Sequence, residues 1–197
     1  MKYPKLRELK EAIKAIIKGP YTTEFPFKPH KPFERFRGKP KFHEENCIGC
    51  GACFQVCPAK AIEMNDVGNK RILTVHWDLC IFCGNCQTNC LTEKGIMLSD
   101  EFDVSTTEKK EELKQEISKE LVICEGCNKP IAPYDQILWV AKRLSALLFS
   151  NASLMLLYLK DMDLALKETL PYRDEFLRSD RIKVLCPRCR REAVIKS

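Results

Sequence analysis

Eight of the twelve cysteines fall into two runs of one pattern, Cys47-x2-Cys50-x2-Cys53-x3-Cys57-Pro58 and Cys80-x2-Cys83-x2-Cys86-x3-Cys90-Leu91. A chain built this way must wrap its backbone around whatever those thiolates hold. The spacing is the one by which eight thiolates bind a pair of 4Fe-4S clusters. A lone Cys-x2-Cys is compatible with zinc, a redox dithiol or coincidence, whereas two four-cysteine runs of matching spacing leave little room for those readings. Three closely spaced thiolates wrap three corners of one cube, and the fourth lies too far along the chain to reach it comfortably, so it serves the other cube. This assigns Cys47, Cys50, Cys53 and Cys90 to one cluster, and Cys80, Cys83, Cys86 and Cys57 to the other, which interlocks the two halves. Disulfides fit poorly. Such runs belong to a reducing compartment, and the expected charged helix at residues 3 to 18 is no secretory signal.

A length of 197 residues holds one medium domain or two small ones, and the motifs favour several small modules. A module of about 50 residues buries too little apolar surface to fold securely alone, so metal-ligand bonds are expected to replace much of a core. The apoprotein is therefore expected to fold poorly. The formal net charge of +6 is unevenly placed. Residues 1–46 carry twelve Lys and Arg against six Asp and Glu, residues 47–99 four of each, and residues 100–197 seventeen of each. An oxidised cube with four thiolates carries about −2, and a four-thiolate zinc site about the same, so the loaded protein is near neutral. Its basic composition gives no argument for nucleic-acid binding, and no nucleic-acid partner is expected.

Ahead of the runs, residues 3–18 place Leu6, Leu9, Ile13, Ile16 and Ile17 at helical spacing, with Lys5, Lys10, Lys14 and Lys18 mostly flanking the stripe. Pro4 suits a first turn and Gly19-Pro20 a stop. The helix is too short and too charged to span a bilayer. It is expected at a membrane interface or against a partner, with packing on its own domain as the alternative. Residues 20–46 interleave prolines with Phe25, Phe27, Phe33, Phe36 and Phe42, which reads as an extended docking arm incompatible with regular helix or central strand.

Between the runs, Ala61–Met64 and Arg71–Trp77 read as short strands joined by a turn at Asn65–Lys70. Gly95-Ile-Met-Leu after the second run echoes Ala61-Ile-Glu-Met after the first. This internal repeat predicts two equivalent halves about a pseudo-two-fold axis, with Ile48, Ile62, Ile81, Phe82 and Ile96 shielding the cubes. Residues 101–120 are charged with a weak helical pattern and read as a linker or exposed helix. Beyond them, Cys124-x2-Cys127 and Cys186-Pro-Arg-Cys189 form paired knuckles suited to a tetrahedral zinc site. Mononuclear iron or a third iron-sulfur cluster remain competing occupants. The insert between the knuckles carries two helical stretches, around Tyr134 to Leu148 and Ala152 to Leu170. His30, His43 and His76 are isolated, and Trp77 and Trp139 read as packing residues. No nucleophile triad, phosphate-binding loop or acid-base carboxylate pair is present, so no catalytic residue is assigned.

The expected fold is thus α+β. A bacterial-type two-4Fe-4S ferredoxin domain over 47–100 follows an amphipathic helix and extended docking arm over 1–46. A zinc-ribbon-like module with a helical insert occupies 121–197.

Phe36-Arg-Gly-Lys-Pro leading into Cys47-Ile-Gly-Cys-Gly-Ala-Cys, followed by Asp78-Leu-Cys-Ile-Phe-Cys-Gly-Asn-Cys, resembles the two-cluster ferredoxin subunit of complex I and its hydrogenase relatives. Cys124-Glu-Gly-Cys-Asn-Lys-Pro-Ile-Ala and the later Cys-Pro-Arg-Cys make the chain similar to the iron-sulfur subunit of formate hydrogenlyase and related group 4 membrane-bound NiFe-hydrogenase complexes. The resemblance spans most of residues 33–130 and the last knuckle. It implies an electron-transfer subunit, itself non-catalytic, on the cytoplasmic face of the membrane. It also implies a low-potential donor such as ferredoxin or a formate dehydrogenase module, with hydrogenase-like small and large subunits and integral membrane subunits as partners. Quinone-reducing and sulfur-reducing complexes of similar build leave the terminal acceptor open. Leu91 departs from the proline that many ferredoxins carry after the last cysteine of a run. A zinc-ribbon nucleic-acid protein is the alternative of another class.

Overall fold

The computed structural model describes residues 5–19, 22–107, 110–165 and 183–195. They fall into two units, residues 1–36 and 37–197. In the first, α1 (Leu6–Lys18) starts where the Glu8 carboxylate accepts the Lys5 N–H at 3.1 Å and ends at Gly19, whose φ of 78° is left-handed. None of its residues is buried, and the stripe of Leu6, Leu9, Ile13, Ile16 and Ile17 is 50 to 86% exposed. The described part of the arm up to Phe36 forms turns but no helix or strand, as its prolines require. Phe33 and Phe36 stack edge to face at 5.7 Å, while Phe27 is 93% exposed.

The second unit is a mixed α/β structure. β1 (Pro40–Phe42) precedes the first cysteine run, which turns into the single-turn helix α2 (Ala52–Gln55) and then β2 (Ile62–Val67). A two-residue turn at Gly68-Asn69 leads to β3 (Lys70–His76), the close hairpin connection favoured by such residues. The second run repeats the plan with α3 (Asn85–Thr88) and β4 (Ile96–Leu98). The expected internal repeat is therefore visible, but the strand partners differ in origin. β2 pairs with the strand that follows it, whereas β4 pairs antiparallel with β1, the last residues of the arm, with Phe42 opposite Ile96. Of the arm phenylalanines, Phe42 is the one built into the core, at 6% exposure.

A long strand, β5 (Lys114–Ile123), corrects the reading of residues 101–120 as linker or exposed helix. Leu113, Ile117 and Leu121 recur every four residues, which mimics one face of a helix. In the strand, residues 115, 117, 119 and 121 share the covered face. Gln115 and Lys119 occupy two of those inward positions, so the alternation of apolar and polar residues that identifies a strand is masked. β5 pairs with β3 from Lys114 to Glu120, then with β6 (Pro130–Pro133) from Leu121 onward, giving the order β2-β3-β5-β6. One continuous strand thus joins the segment of the cysteine runs to the segment of the knuckles. β3 lies between β2 and β5, and its Leu73, Thr74 and Val75 are all buried. The main core gathers Phe42, Ile62, Leu73, Val75, Ile96 and Ile117 around Cys53 and Cys86.

The insert contains α4 (Tyr134–Leu144), a 3-10 helix over Ser145–Ser150 and α5 (Ala152–Asp161), close to the two expected helical stretches. Residues 166–170 of the second stretch lie outside the described residues. A smaller core of Val122, Leu157 and Val184 packs here against Ile131, Tyr134 and Ile137. The last described element is α6 (Pro187–Ile195).

Candidate metal centres

The two runs close around two separate cavities. Cys47, Cys50, Cys53 and Cys90 line the first, with Phe42, Ile48, Leu73, Leu91 and Ile96 completing its wall. Cys57, Cys80, Cys83 and Cys86 line the second, with Ile62, Val75, Ile81, Phe82 and Leu98. Each cavity therefore receives three cysteines from one run and the fourth from the other. The five residues expected as shielding all line one cavity or the other, although Ile81 remains 62% exposed. Leu91, standing where the first run has Pro58, covers the first cavity and stays 46% exposed.

Local backbone chemistry positions these thiols. Gly51 and Gly84 take left-handed φ values of 76° and 83° at the mouth of α2 and α3, turning each loop back on its cavity. A Cβ on Gly51 would also meet the Met64 Sδ at 2.7 Å. The Ala61 N–H donates to Cys57 Sγ at 3.2 Å and the Phe82 N–H to Cys80 Sγ at 3.4 Å, while the Thr92 hydroxyl lies 3.4 Å from Cys90 Sγ. Burial pushes the Cys53 thiol up to about 12 and the Cys86 thiol up to about 11. Burial also raises Cys47 and Cys80. Burial acts upward on Cys90 too, but the Thr92 hydroxyl and nearby backbone N–H groups outweigh it and lower this thiol. Eight sulfurs in two apolar cavities carry negative charge comfortably only against a cationic centre. The donor set and its division four and four fit two iron-sulfur cubes.

The knuckle cysteines also meet. The sulfurs of Cys124, Cys127, Cys186 and Cys189 lie within 4.8 Å of one another, and Cys127 Sγ stands 3.8 Å from Cys186 Sγ. A tetrahedron with metal-sulfur arms of about 2.3 Å has edges of about 3.8 Å, so the four thiols fit a tetrahedral metal ion. Cys124 and Cys127 sit in the hairpin between β5 and β6, whereas Cys186 and Cys189 flank the first turn of α6. The second pair thus opens a helix, where a ribbon would have placed a second hairpin. Cys124 is fully buried, and burial acts to raise its thiol. The N–H groups of Cys186, at 3.2 Å, and Gly126, at 3.4 Å, donate to its sulfur and, with Cys127, bring it down to about 6.

Several polar residues around the first cavity carried no sequence signal. Arg71 donates to the Gly49 carbonyl at 3.3 Å while Asp66 holds its guanidinium through two oxygens at 2.8 and 2.9 Å. Gln115 bonds twice to the backbone of Phe42, and Lys119 donates to the Glu44 carbonyl at 2.7 Å. Trp77, expected as a packing residue, also donates its indole N–H to the Pro40 carbonyl at 2.8 Å and so ties β3 to β1. Of the isolated histidines, His76 approaches Glu63 at 3.7 Å, and none lines the eight-cysteine cavities.

Comparison with known proteins follows the same division. Residues 30–94 match the 4Fe-4S dicluster domain. Formate hydrogenlyase subunit 6 of Escherichia coli is 37% identical over 130 residues, covering 64% of this chain and 70% of the relative. NAD(P)H-quinone oxidoreductase subunit I of Gloeobacter violaceus is 33% identical over 99 residues, 47% of each chain. The chain spans about half the length of this relative and of NADH-quinone oxidoreductase subunit I of Carboxydothermus hydrogenoformans. A chain in the structure of the membrane-bound sulfane sulfur reductase, an archaeal respiratory membrane complex, aligns over 57% of this chain and 62% of that one at 31% identity, with a TM-score of 0.40.

Proposed function

The chain belongs to the iron-sulfur family that includes formate hydrogenlyase subunit 6, and from that premise we propose that it is the two-cluster electron-transfer subunit of a membrane-bound respiratory complex of hydrogenase type. The observation that carries this reading is the partition of eight cysteines into two cavities, each lined by three residues of one run and the last of the other. Cys47, Cys50, Cys53 and Cys90 hold one 4Fe-4S cluster, and Cys57, Cys80, Cys83 and Cys86 hold the second. When bound, each cluster supplies a one-electron site of low potential. The residues of this chain shape the two seats: the short helices α2 and α3 fix the cysteine loops, and Phe42, Ile62, Val75 and Ile96 would keep water from the sulfurs. In this reading catalysis belongs to partner subunits.

In this reading the chain takes electrons from a low-potential donor, such as ferredoxin or a formate dehydrogenase module. It passes them toward hydrogenase-like small and large subunits joined to integral membrane subunits. The 130-residue match to formate hydrogenlyase subunit 6, twice the length of the dicluster segment, favours this assignment. The relatives named as subunit I of quinone oxidoreductases support a second reading, the equivalent subunit of a quinone-reducing complex. Among the described residues no helix is long and apolar enough to cross a membrane. The basic, apolar-striped α1 suits peripheral attachment at the cytoplasmic face. Cys124, Cys127, Cys186 and Cys189 hold a structural zinc ion that closes the C-terminal module.

Anaerobic affinity purification from native membranes tests the assignment, with co-purified subunits identified by mass spectrometry and nickel, iron and zinc measured together. A membrane complex containing nickel supports the hydrogenase reading. The same kind of complex without nickel transfers the chain to the second reading, and a lone protein with no partners overturns both.

A further inference from the structure

We propose that Lys119 is a positioning residue that selectively raises the reduction potential of the first site, so that a strand shared with the C-terminal module sets the electronic step between the two sites. The inference rests on the reading of the eight cysteines as two cluster sites. Reduction adds negative charge to a centre already negative with its four thiolates. A cation held nearby in a poorly polarisable environment therefore favours the reduced form.

Lys119 is such a cation. Its side chain is 12% exposed, and its Nζ donates to the Glu44 carbonyl at 2.7 Å and pairs with Asp135 at 2.9 Å. Its stem lies on the loop between Cys47 and Cys50, since a Cβ placed on Gly49 would stand 3.2 Å from the Lys119 Cβ and Cγ. Its counter-ion does not cancel it evenly. The Asp135 side chain is 45% exposed, so water screens the carboxylate more than the ammonium.

The repeat provides an internal control. Phe82 occupies in the second run the place of Gly49 in the first, and the neighbouring Ile81 is 62% exposed where Ile48 is half-buried. The second loop is reached by Arg37, bonded to the Cys83 carbonyl at 3.2 Å, and Arg37 is exposed and open to screening by salt. Arg71, beside the first loop, is held through both oxygens by Asp66, which leaves Lys119 as the less compensated charge.

The test is an anaerobic redox titration of the full chain with both sites loaded, following the two reduced EPR signals. The first-site signal is the one that Cys90→Ser removes. Iron per chain is measured in every sample. In Lys119→Met the first-site midpoint moves negative, the reduced fraction at fixed potential falling roughly tenfold relative to oxidised, while the second stays in place. Lys119→Arg restores the wild-type value, and Asp135→Asn moves the first midpoint in the positive direction. Opposite signs in the lysine and aspartate variants distinguish a charge effect from loosened packing. Should Lys119→Met fail to load, Lys119→Arg and Asp135→Asn still decide the matter. Unmoved midpoints, a common shift of both signals, or shifts of the same sign in Lys119→Met and Asp135→Asn would overturn the inference alone. A wild-type chain that takes up no clusters overturns the site reading beneath it.

Discussion

Removing the Gln115 side chain should release β1 from the body of the protein. Its Oε1 accepts the Phe42 N–H at 2.8 Å and its Nε2 donates to the Phe42 carbonyl at 3.2 Å, so one side chain does the work of a neighbouring strand. Phe42 is 6% exposed, lines the first cavity and pairs with Ile96 on its other edge. In Gln115→Ala, two largely buried backbone groups lose their partners. At about 1 kcal/mol for each bond, and up to about 2 when the group stays dry, the loss is about 2 to 4 kcal/mol. That corresponds to an increase in local opening of roughly 30- to 700-fold. Amide hydrogen exchange on the loaded protein reads it directly: the Phe42 amide accelerates by this factor, whereas the Leu73 amide in β3 keeps its protection. Gln115→Glu, which retains the acceptor but loses the donor, falls between. Equal Phe42 exchange in wild type and Gln115→Ala, or equal acceleration at Leu73, would show that the bonds do not hold β1 in this way.

Cys57→Ser and Cys80→Ser should lose the same EPR signal and Cys90→Ser and Cys47→Ser the other, with iron per chain falling by about half in each; identical spectra for Cys57→Ser and Cys47→Ser would refute the crossed assignment. Gly49→Ala adds a Cβ at a left-handed φ of 69°, 3.1 Å from the Pro133 Cγ, and should cost about 2 kcal/mol or more, against about 1 for Gly68→Ala, where the added Cβ meets nothing within 4 Å. Thermal unfolding of the loaded protein compares the two. The Cys124 thiol, held down at about 6, binds fewer protons in the folded protein than when unfolded. Its contribution is therefore fully present only above the ordinary thiol range, declines through neutral pH and is gone once pH has fallen through about 6. A zinc-release profile against pH, read with a colorimetric chelator, should bend there; retention unchanged down to pH 4 would contradict this.

Much of the candidate site was legible because cysteine spacing is itself a geometric statement. A thiolate cluster demands ligands at short, repeated intervals, and the echo of Ala61-Ile-Glu-Met in Gly95-Ile-Met-Leu announced two similar halves that the fold contains as α2 with β2 and α3 with β4. The segment before β6 was misread for an equally specific reason. Ile117 and Leu121 stand four apart, and Gln115 and Lys119, polar residues on the covered face of β5, hide the two-residue period. Nothing local distinguishes an inward lysine bonded to a distant carbonyl from a solvated one.

The residues alone therefore pointed to eight thiols grouped four and four, a grouping that the two cavities repeat, since ligand chemistry acts over a few positions. Tertiary structure decided which strand each half receives, with β1 from the arm pairing β4 and β5 running from the cysteine runs into the knuckle module. It also decided which cavity lies beneath a buried cation and which stands under an exposed Ile81. Those outcomes depend on contacts between residues some 70 positions apart, Gln115 with Phe42 and Lys119 with Glu44. Such pairings follow from packing over the whole chain and leave no pattern in a local window of sequence.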